Sequence, residues 1–469
     1  MMADNSTEKR GFRFGDIWQI FGQRGSLKRL GILFALVAII LIFQIWTGGT
    51  TLSPGNAINL VQAYSFILLL SVGMVMVIIA GHIDLSVGSV AAFVGIVVAT
   101  SMRDWGLPWW GGILLGIVLG AAIGAFQGFW VAYVGVPAFI VTLAGMLIWR
   151  GAQQWVGQAQ TVAVPDGFKQ ALYGFMPEVG PYTGFNNLTL LLGLLVIAAI
   201  IYGQVRNRAK RKHMDAMLEP SWVTIARTAI LVAIVIYATL LFASGRLGTS
   251  FPISGIILVV LIIFYAFITS RTRTGRHIYA VGGNRRAAQL SGVNDRRTDF
   301  FVMMNMSTLA GIAGMLWAAR AGAAGPADGT GWELDAIAGV FIGGAAVAGG
   351  VGTVFGSVIG GLVMAVLNNG LQLIGVSTDR MQIIKGLVLL VAVGIDVMNK
   401  RAGGPSLIGT MMSKLKAKQA AVELEAATGE AQSADPSALN AASNTASIGT
   451  KQAPTADDPE TTASEPPTR

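Results

Sequence analysis

Apolar residues in this chain gather in long runs separated by short polar stretches. The runs fall at about 31–47, 58–80, 87–102, 109–134, 138–156, 188–205, 226–243, 253–269, 300–319, 336–348, 354–374 and 381–398, twelve in all. A helix that spans a bilayer needs about 20 predominantly apolar residues, with a working range of roughly 17–25. The pattern predicts an all-α polytopic membrane protein with about 12 apolar spans, of which roughly ten to twelve cross fully. Runs 87–102 and 336–348 are short and rich in glycine. They are expected to be tilted, broken or re-entrant.

Composition supports this class. The chain is 53% hydrophobic and only 12% charged, against about 25% charged for soluble domains. Its mean hydropathy is +0.62. The absence of Cys excludes disulfides, thiol catalysis and a Cys metal site, and three His leave little material for any metal centre. A net charge of +9 could suggest nucleic acid. The charges cluster between apolar runs, as membrane topology requires, so no nucleic acid is expected.

Those charges also predict orientation. Basic residues precede the first run (Lys9, Arg10, Arg13, Arg24, Lys28, Arg29). They recur after the sixth (Arg206, Arg208, Lys210, Arg211, Lys212, with Arg227) and after the eighth (Arg271, Arg273, Arg276, Arg285, Arg286, Arg296, Arg297). With twelve spans all three clusters share one side, which is the cytoplasm, as are both termini. Residues 1–30 read as a cytoplasmic segment, the first run as a retained signal anchor, and 31–400 as the transmembrane domain. Residues 401–469, rich in Ala, Ser, Thr, Glu and Pro, read as a disordered cytoplasmic tail. Ala80–Val90 ("AGHIDLSVGSV") also aligns without gaps to Ala348–Val358 ("AGGVGTVFGSV"), which suggests an internal repeat.

Several polar residues stand out against the apolar background. Asp84 lies between two runs. It reads either as a functional acid at depth or, with Ser86, as a cap on the next helix. Glu333 and Asp335 stand at a helix start, where acids suit the positive N-terminus; a gate role is the other reading. Gln127, Asn368 and Asn369 lie within runs and either tie helices together or line a polar path. Lys385 is expected to snorkel. Gly116, Gly120 and Gly124 follow the four-residue step that lets helix backbones approach closely. There is no P-loop, no nucleophile elbow and no H-E-x-x-H, so an enzyme is not expected.

Five stretches, in order, resemble the permease subunits of bacterial ABC importers for xylose, ribose, galactose and related monosaccharides. They are "GHIDLSVGS", "VPAFIVTLAGMLIWRG", "YAVGGNRRAAQLSGVN", "ELDAIAGVFIGGAAVAGGVGTVFGSVIGGLVM" and "IIKGLVLLVAVGIDV". With the additional apolar pair at 188–243, the chain looks most like the xylose-type permeases. His82 stands where the family often has Gly, and Gln127 where Asn is common. The resemblance implies an inner-membrane subunit that binds no cofactor itself. It implies a second permease copy, cytoplasmic ATPase subunits holding ATP and Mg, and a periplasmic sugar-binding protein.

The resemblance also implies that the ATPase docks within the loop 270–299, at Gly282, Gly283, Asn284, Ala287, Ala288, Leu290, Ser291, Gly292 and Asn294. Local chemistry agrees with a short rigid helix there. Paired glycines allow a turn, Asn284 can cap, and Gly292 can terminate. The helix is expected to present a small-residue face to a partner. The expected function is ATP-driven monosaccharide import by alternating access. The rival is an ion- or proton-coupled secondary transporter of a small polar solute, which the shortage of intramembrane acids opposes.

Overall fold

The computed structural model describes residues 24–181, 183–214, 221–244 and 250–401. The expectations for residues 1–23 and for the tail from 402 onward lie outside them. The chain divides into two units, Met1–Val397 and Met398–Arg469, and only the first is described in any detail.

Helices dominate. In chain order they are α1 (Arg24–Trp46), α2 (Pro54–Ile79), α3 (Val87–Asp104), α4 (Trp109–Phe129), α5 (Ala138–Val156), α6 (Asp166–Tyr173), α7 (Asn187–His213) and α8 (Ser221–Ala243). After these come α9 (Ile253–Arg271), α10 (Arg273–Gly283), α11 (Arg285–Leu290), α12 (Asp295–Ala321), α13 (Trp332–Ile342), α14 (Val354–Leu373) and α15 (Thr378–Arg401). The π turn Trp130–Val134 extends α4. Two short strands, β1 (Val162–Ala163) and β2 (Ala323–Ala324), pair antiparallel.

Among the described residues, eight helices are long and apolar enough to cross a bilayer: α2, α3, α4 with its π turn, α7, α8, α9, α12 and α14. The apolar part of α1, Gly31–Trp46, is shorter. The run 336–348 becomes α13, an 11-residue helix. At 1.5 Å per residue it covers about half of a hydrocarbon core of roughly 30 Å.

The bundle is built around α2, which is buried continuously from Gln62 to Ile79. Both polar and apolar residues on every face of it are covered, as expected of a helix that is hydrophobic all round. α12 lies against α2, α3 and α4. The glycine step on α4 is the surface it uses. A Cβ on Gly120 would come within 2.8 Å of the Ser307 carbonyl oxygen, and one on Gly124 within 2.6 Å of the Met304 Cα. Lipid tails are as apolar as leucine, so helix association in a membrane rests on such close van der Waals contact.

The helix pair read from 188–243 is α7 and α8. It stands apart: none of the α8 apolar window is buried, and most of α7 faces outward. The pair leaves and rejoins the bundle at one point, where Asn186 N donates to the Ala243 carbonyl at 3.4 Å.

The two aligned segments, Ala80–Val90 and Ala348–Val358, each lead into a helix, α3 at Val87 and α14 at Val354. Their connecting loops also meet. Gly350 N donates to the Ile79 carbonyl at 2.8 Å. Tyr279 Oη of α10 donates to the Gly352 carbonyl at 2.7 Å.

Candidate functional site

The loop 270–299 folds as three capped helices in series. Thr272 caps α10, its hydroxyl accepting from Gly275 N at 3.2 Å. Asn284 breaks the helix in an extended conformation, and its Oδ1 accepts from Ala287 N at 3.0 Å to start α11. Gly292, with φ +81°, closes α11 in the left-handed region that favours glycine. Asn294 then starts α12 through a 2.9 Å bond from Arg297 N. Each cap satisfies N–H groups that a helix start leaves unpaired, so the sequence specifies a six-residue helix at this position.

Close backbone packing holds this assembly against the bundle. A Cβ on Gly282 would lie 1.6 Å from the Ile79 carbonyl oxygen, so only glycine fits there. Gly283 has open space around its Cβ direction. Ala288 is buried at 5% exposure and faces inward. Of the small residues expected to meet a partner, Ala288 alone is buried against the chain's own bundle; Gly283, Ala287, Ser291 and Gly292 are exposed. Leu290 projects outward at 85% exposure, with Arg286, Ala287, Gln289 and Ser291 also exposed. The sequence contains Leu290, but periodicity over six residues cannot say which side is covered.

Beside α11 lies an open cavity of about 560 Å³, walled by His82, Val131, Pro137, Phe139, Arg285 and Asp299 among others. An ion cluster forms its inner wall. Arg285 Nη1 donates to Asp299 Oδ2 at 2.6 Å and to Asp295 Oδ2 at 3.1 Å. Arg285 Nη2 donates to Asp299 Oδ1 at 3.2 Å. His82 Nε2 lies 2.9 Å from the same Oδ1. Gln289 Nε2 completes the group with a 2.9 Å bond to Asp295 Oδ2. Hydrogen bonding to Asp299, and secondarily to Asp295, holds the Arg285 guanidinium above its ordinary pKa. Nothing in the sequence joins these residues, because His82 and Asp299 are far apart in the chain.

Asp84 and Ser86 do not cap α3 as expected. Ser86 is the N-cap residue but makes no side-chain capping bond. Asp84 Oδ1 instead accepts from Ser86 N at 2.8 Å and from Ser86 Oγ at 2.6 Å. A hydroxyl has one proton, so Ser86 Oγ donates to Asp84 and accepts from Gln127 Nε2 at 3.0 Å. Asp84 and Ser86 are fully buried, and Asp84 Oδ2 has no partner.

The remaining polar residues form a separate group. Asn369 and Asn56 exchange amide bonds at 2.9 and 3.1 Å, which ties α14 to the start of α2. Asp335, in the first turn of α13, accepts from Lys385 Nζ at 3.0 Å. Lys385 therefore does not snorkel; its charge is used inside the protein. Glu333 is buried beside Gly88, with Oε2 unpartnered, and Asn368 is buried with Oδ1 unpartnered. No cluster of three or more His, Cys, Asp or Glu that could hold a metal occurs among the described residues.

Residues 56–393 match the family model described as the permease component of the branched-chain amino acid transport system. The chain is 39% identical over 373 residues to the xylose transport system permease protein XylH of Haemophilus influenzae, covering 79% of this chain and 96% of that protein. It is 39% identical over 379 residues to XylH of Escherichia coli K12, covering 80% and 93%. It is 34% identical over 374 residues to the ribose import permease protein RbsC of the same strain, covering 79% and 92%. No solved structure matches.

Proposed function

Because the chain belongs to the family of transport-system permease components that includes bacterial xylose and ribose permeases, we propose that it is the translocation subunit of an ATP-driven monosaccharide importer. Xylose is the favoured cargo and the inner membrane the site of action. Two copies pair, the sugar passes between them, and a periplasmic binding protein delivers it. ATP and Mg act on separate cytoplasmic subunits.

One observation carries the coupling reading. A short capped helix, α11, is anchored by Gly282 and Ala288 and presents an exposed Leu290 at one end of the bundle. An exposed leucine on a rigid support is the kind of anchor that a partner's pocket takes up. The basic residues of this stretch support a cytoplasmic position for it. Closure of the ATPase pair then shifts α11, and the spans attached to it move between outward-open and inward-open packings.

The unpartnered carboxylate oxygens of Asp84 and Glu333 are the features a proton-coupled carrier would use. One reconstitution separates the two readings. Proteoliposomes containing the permease, its ATPase and its binding protein are assayed for labelled xylose, ribose and galactose. ATP-dependent uptake, led by xylose, is expected. Uptake that persists without the ATPase and collapses with the proton gradient would establish the carrier instead.

A further inference from the structure

The cluster beside α11 joins three elements that are distant in sequence. Arg285 belongs to α11, Asp299 to the first turns of α12, and His82 to the α2–α3 loop. Asp299 is the shared acceptor. It is 4% exposed and takes bonds from Arg285 on both oxygens. Arg285 approaches it as a donor, and His82 Nε2 lies within hydrogen-bonding distance of both Asp299 Oδ1 and, at 3.3 Å, Arg285 Nη2, its tautomer deciding which of the two it bonds. The other charges facing the group are Asp295, bonded to Arg285, and Arg296, on the cavity wall.

A polar line continues beyond His82. Two residues on, Asp84 Oδ1 holds the Ser86 hydroxyl, which in turn takes a bond from Gln127 of α4. Asp84, Ser86 and Gln127 are 0–1% exposed. Hydrogen bonds in such a dry region are stronger than in water, and breaking one is correspondingly costly. Backbone contact between Gly282 and Ile79 grips the loop's other end. The α2–α3 loop therefore follows α11 closely.

Resting on the reading of α11 as the ATPase contact, we infer that His82 is a positioning residue for coupling. It fastens the α2–α3 loop to the coupling helix through Asp299, so that movement of α11 reaches Gln127 and α4. A merely space-filling histidine would be replaceable by leucine. This one faces a cavity and sets its ring nitrogen beside a shared carboxylate.

The test uses the complete complex in proteoliposomes with xylose as the probe. His82→Leu retains bulk and removes the donor; His82→Gln retains an N–H donor. Both should assemble, with basal ATP hydrolysis unchanged. His82→Leu should lower hydrolysis stimulated by sugar-loaded binding protein by about tenfold, and His82→Gln by less than about twofold. Gln127→Leu should lower it too, and the double variant His82→Leu/Gln127→Leu should be no worse than the weaker single one, because the two changes cut one line. Wild-type stimulation in His82→Leu, equal loss in His82→Leu and His82→Gln, or additive losses with Gln127→Leu would each overturn the inference. If His82→Leu does not accumulate, Asp299→Asn serves in its place. Loss of stimulation is then expected, and wild-type stimulation overturns the joint. Leu290→Asp separates the two levels. Stimulation lost there but kept in His82→Leu removes only the joint. Stimulation kept in Leu290→Asp removes the coupling reading of α11 itself.

Discussion

Individual residues around α11 divide into those that shape the helix and those that face outward. Gly292 shapes it, since its φ of +81° would strain any side chain by roughly 1–2 kcal/mol. Gly292→Ala should loosen the end of α11, seen as faster amide exchange across residues 289–294 with little change elsewhere. Leu290 faces outward, 85% exposed among the described residues. Leu290→Asp should leave membrane insertion and thermal stability unchanged. It should weaken ATPase binding by roughly 2 kcal/mol, or about thirtyfold, in a direct affinity measurement. Unchanged affinity would assign the contact to another surface. The conformation of Gly292 and the cap at Asn284 are legible from residue type, because they depend on neighbours one to three positions away. The buried state of Ala288 and the exposure of Leu290 are not, because both depend on which helix ends lie above.

At the scale of the element, glycines with the same local appearance behave differently. Gly124 sits where α12 presses against α4, and a Cβ there would meet the Met304 Cα at 2.6 Å. Gly203 of α7 has nothing within 4 Å. Gly124→Val should overpack the α4–α12 contact and cost about 1–3 kcal/mol, visible as a lower melting temperature in detergent. Gly203→Ala should be neutral or stabilising by up to about 1 kcal/mol, the helix-propensity gain alone. The four-residue step on α4 is visible in the sequence and does mark a close helix contact. Its partner, α12, is not visible there. The Asp335–Lys385 pair is a similar case, because a lysine near the end of an apolar run looks like one that reaches for water.

For the whole molecule, the α7–α8 pair is the most separable part. Its ends are bonded to each other through Asn186 and Ala243, and Gly193 packs tightly against Thr239 within the pair. Its remaining apolar surface faces outward. Replacing residues 187–243 with a short flexible linker should leave a folded permease that still assembles with its ATPase. Loss of folding would show that the pair is part of the core. The bundle around α2 should not tolerate such cuts, because α2 is covered on all sides.

The sequence by itself determined the class, the approximate span positions and the capped helix in the loop 270–299. Each of these rests on local physics: apolar length against bilayer thickness, and side-chain caps against free backbone N–H groups. Its five ordered stretches also pointed to the family that the comparisons show. Only the tertiary structure decided that α13 is an 11-residue helix, that Ala288 faces inward, and that His82 meets Asp299 and Arg285 across more than 200 residues of chain. Those outcomes depend on which helices become neighbours, and hydropathy is blind to that. Any two apolar helices satisfy the membrane equally well, and close packing and shared polar bonds choose between them.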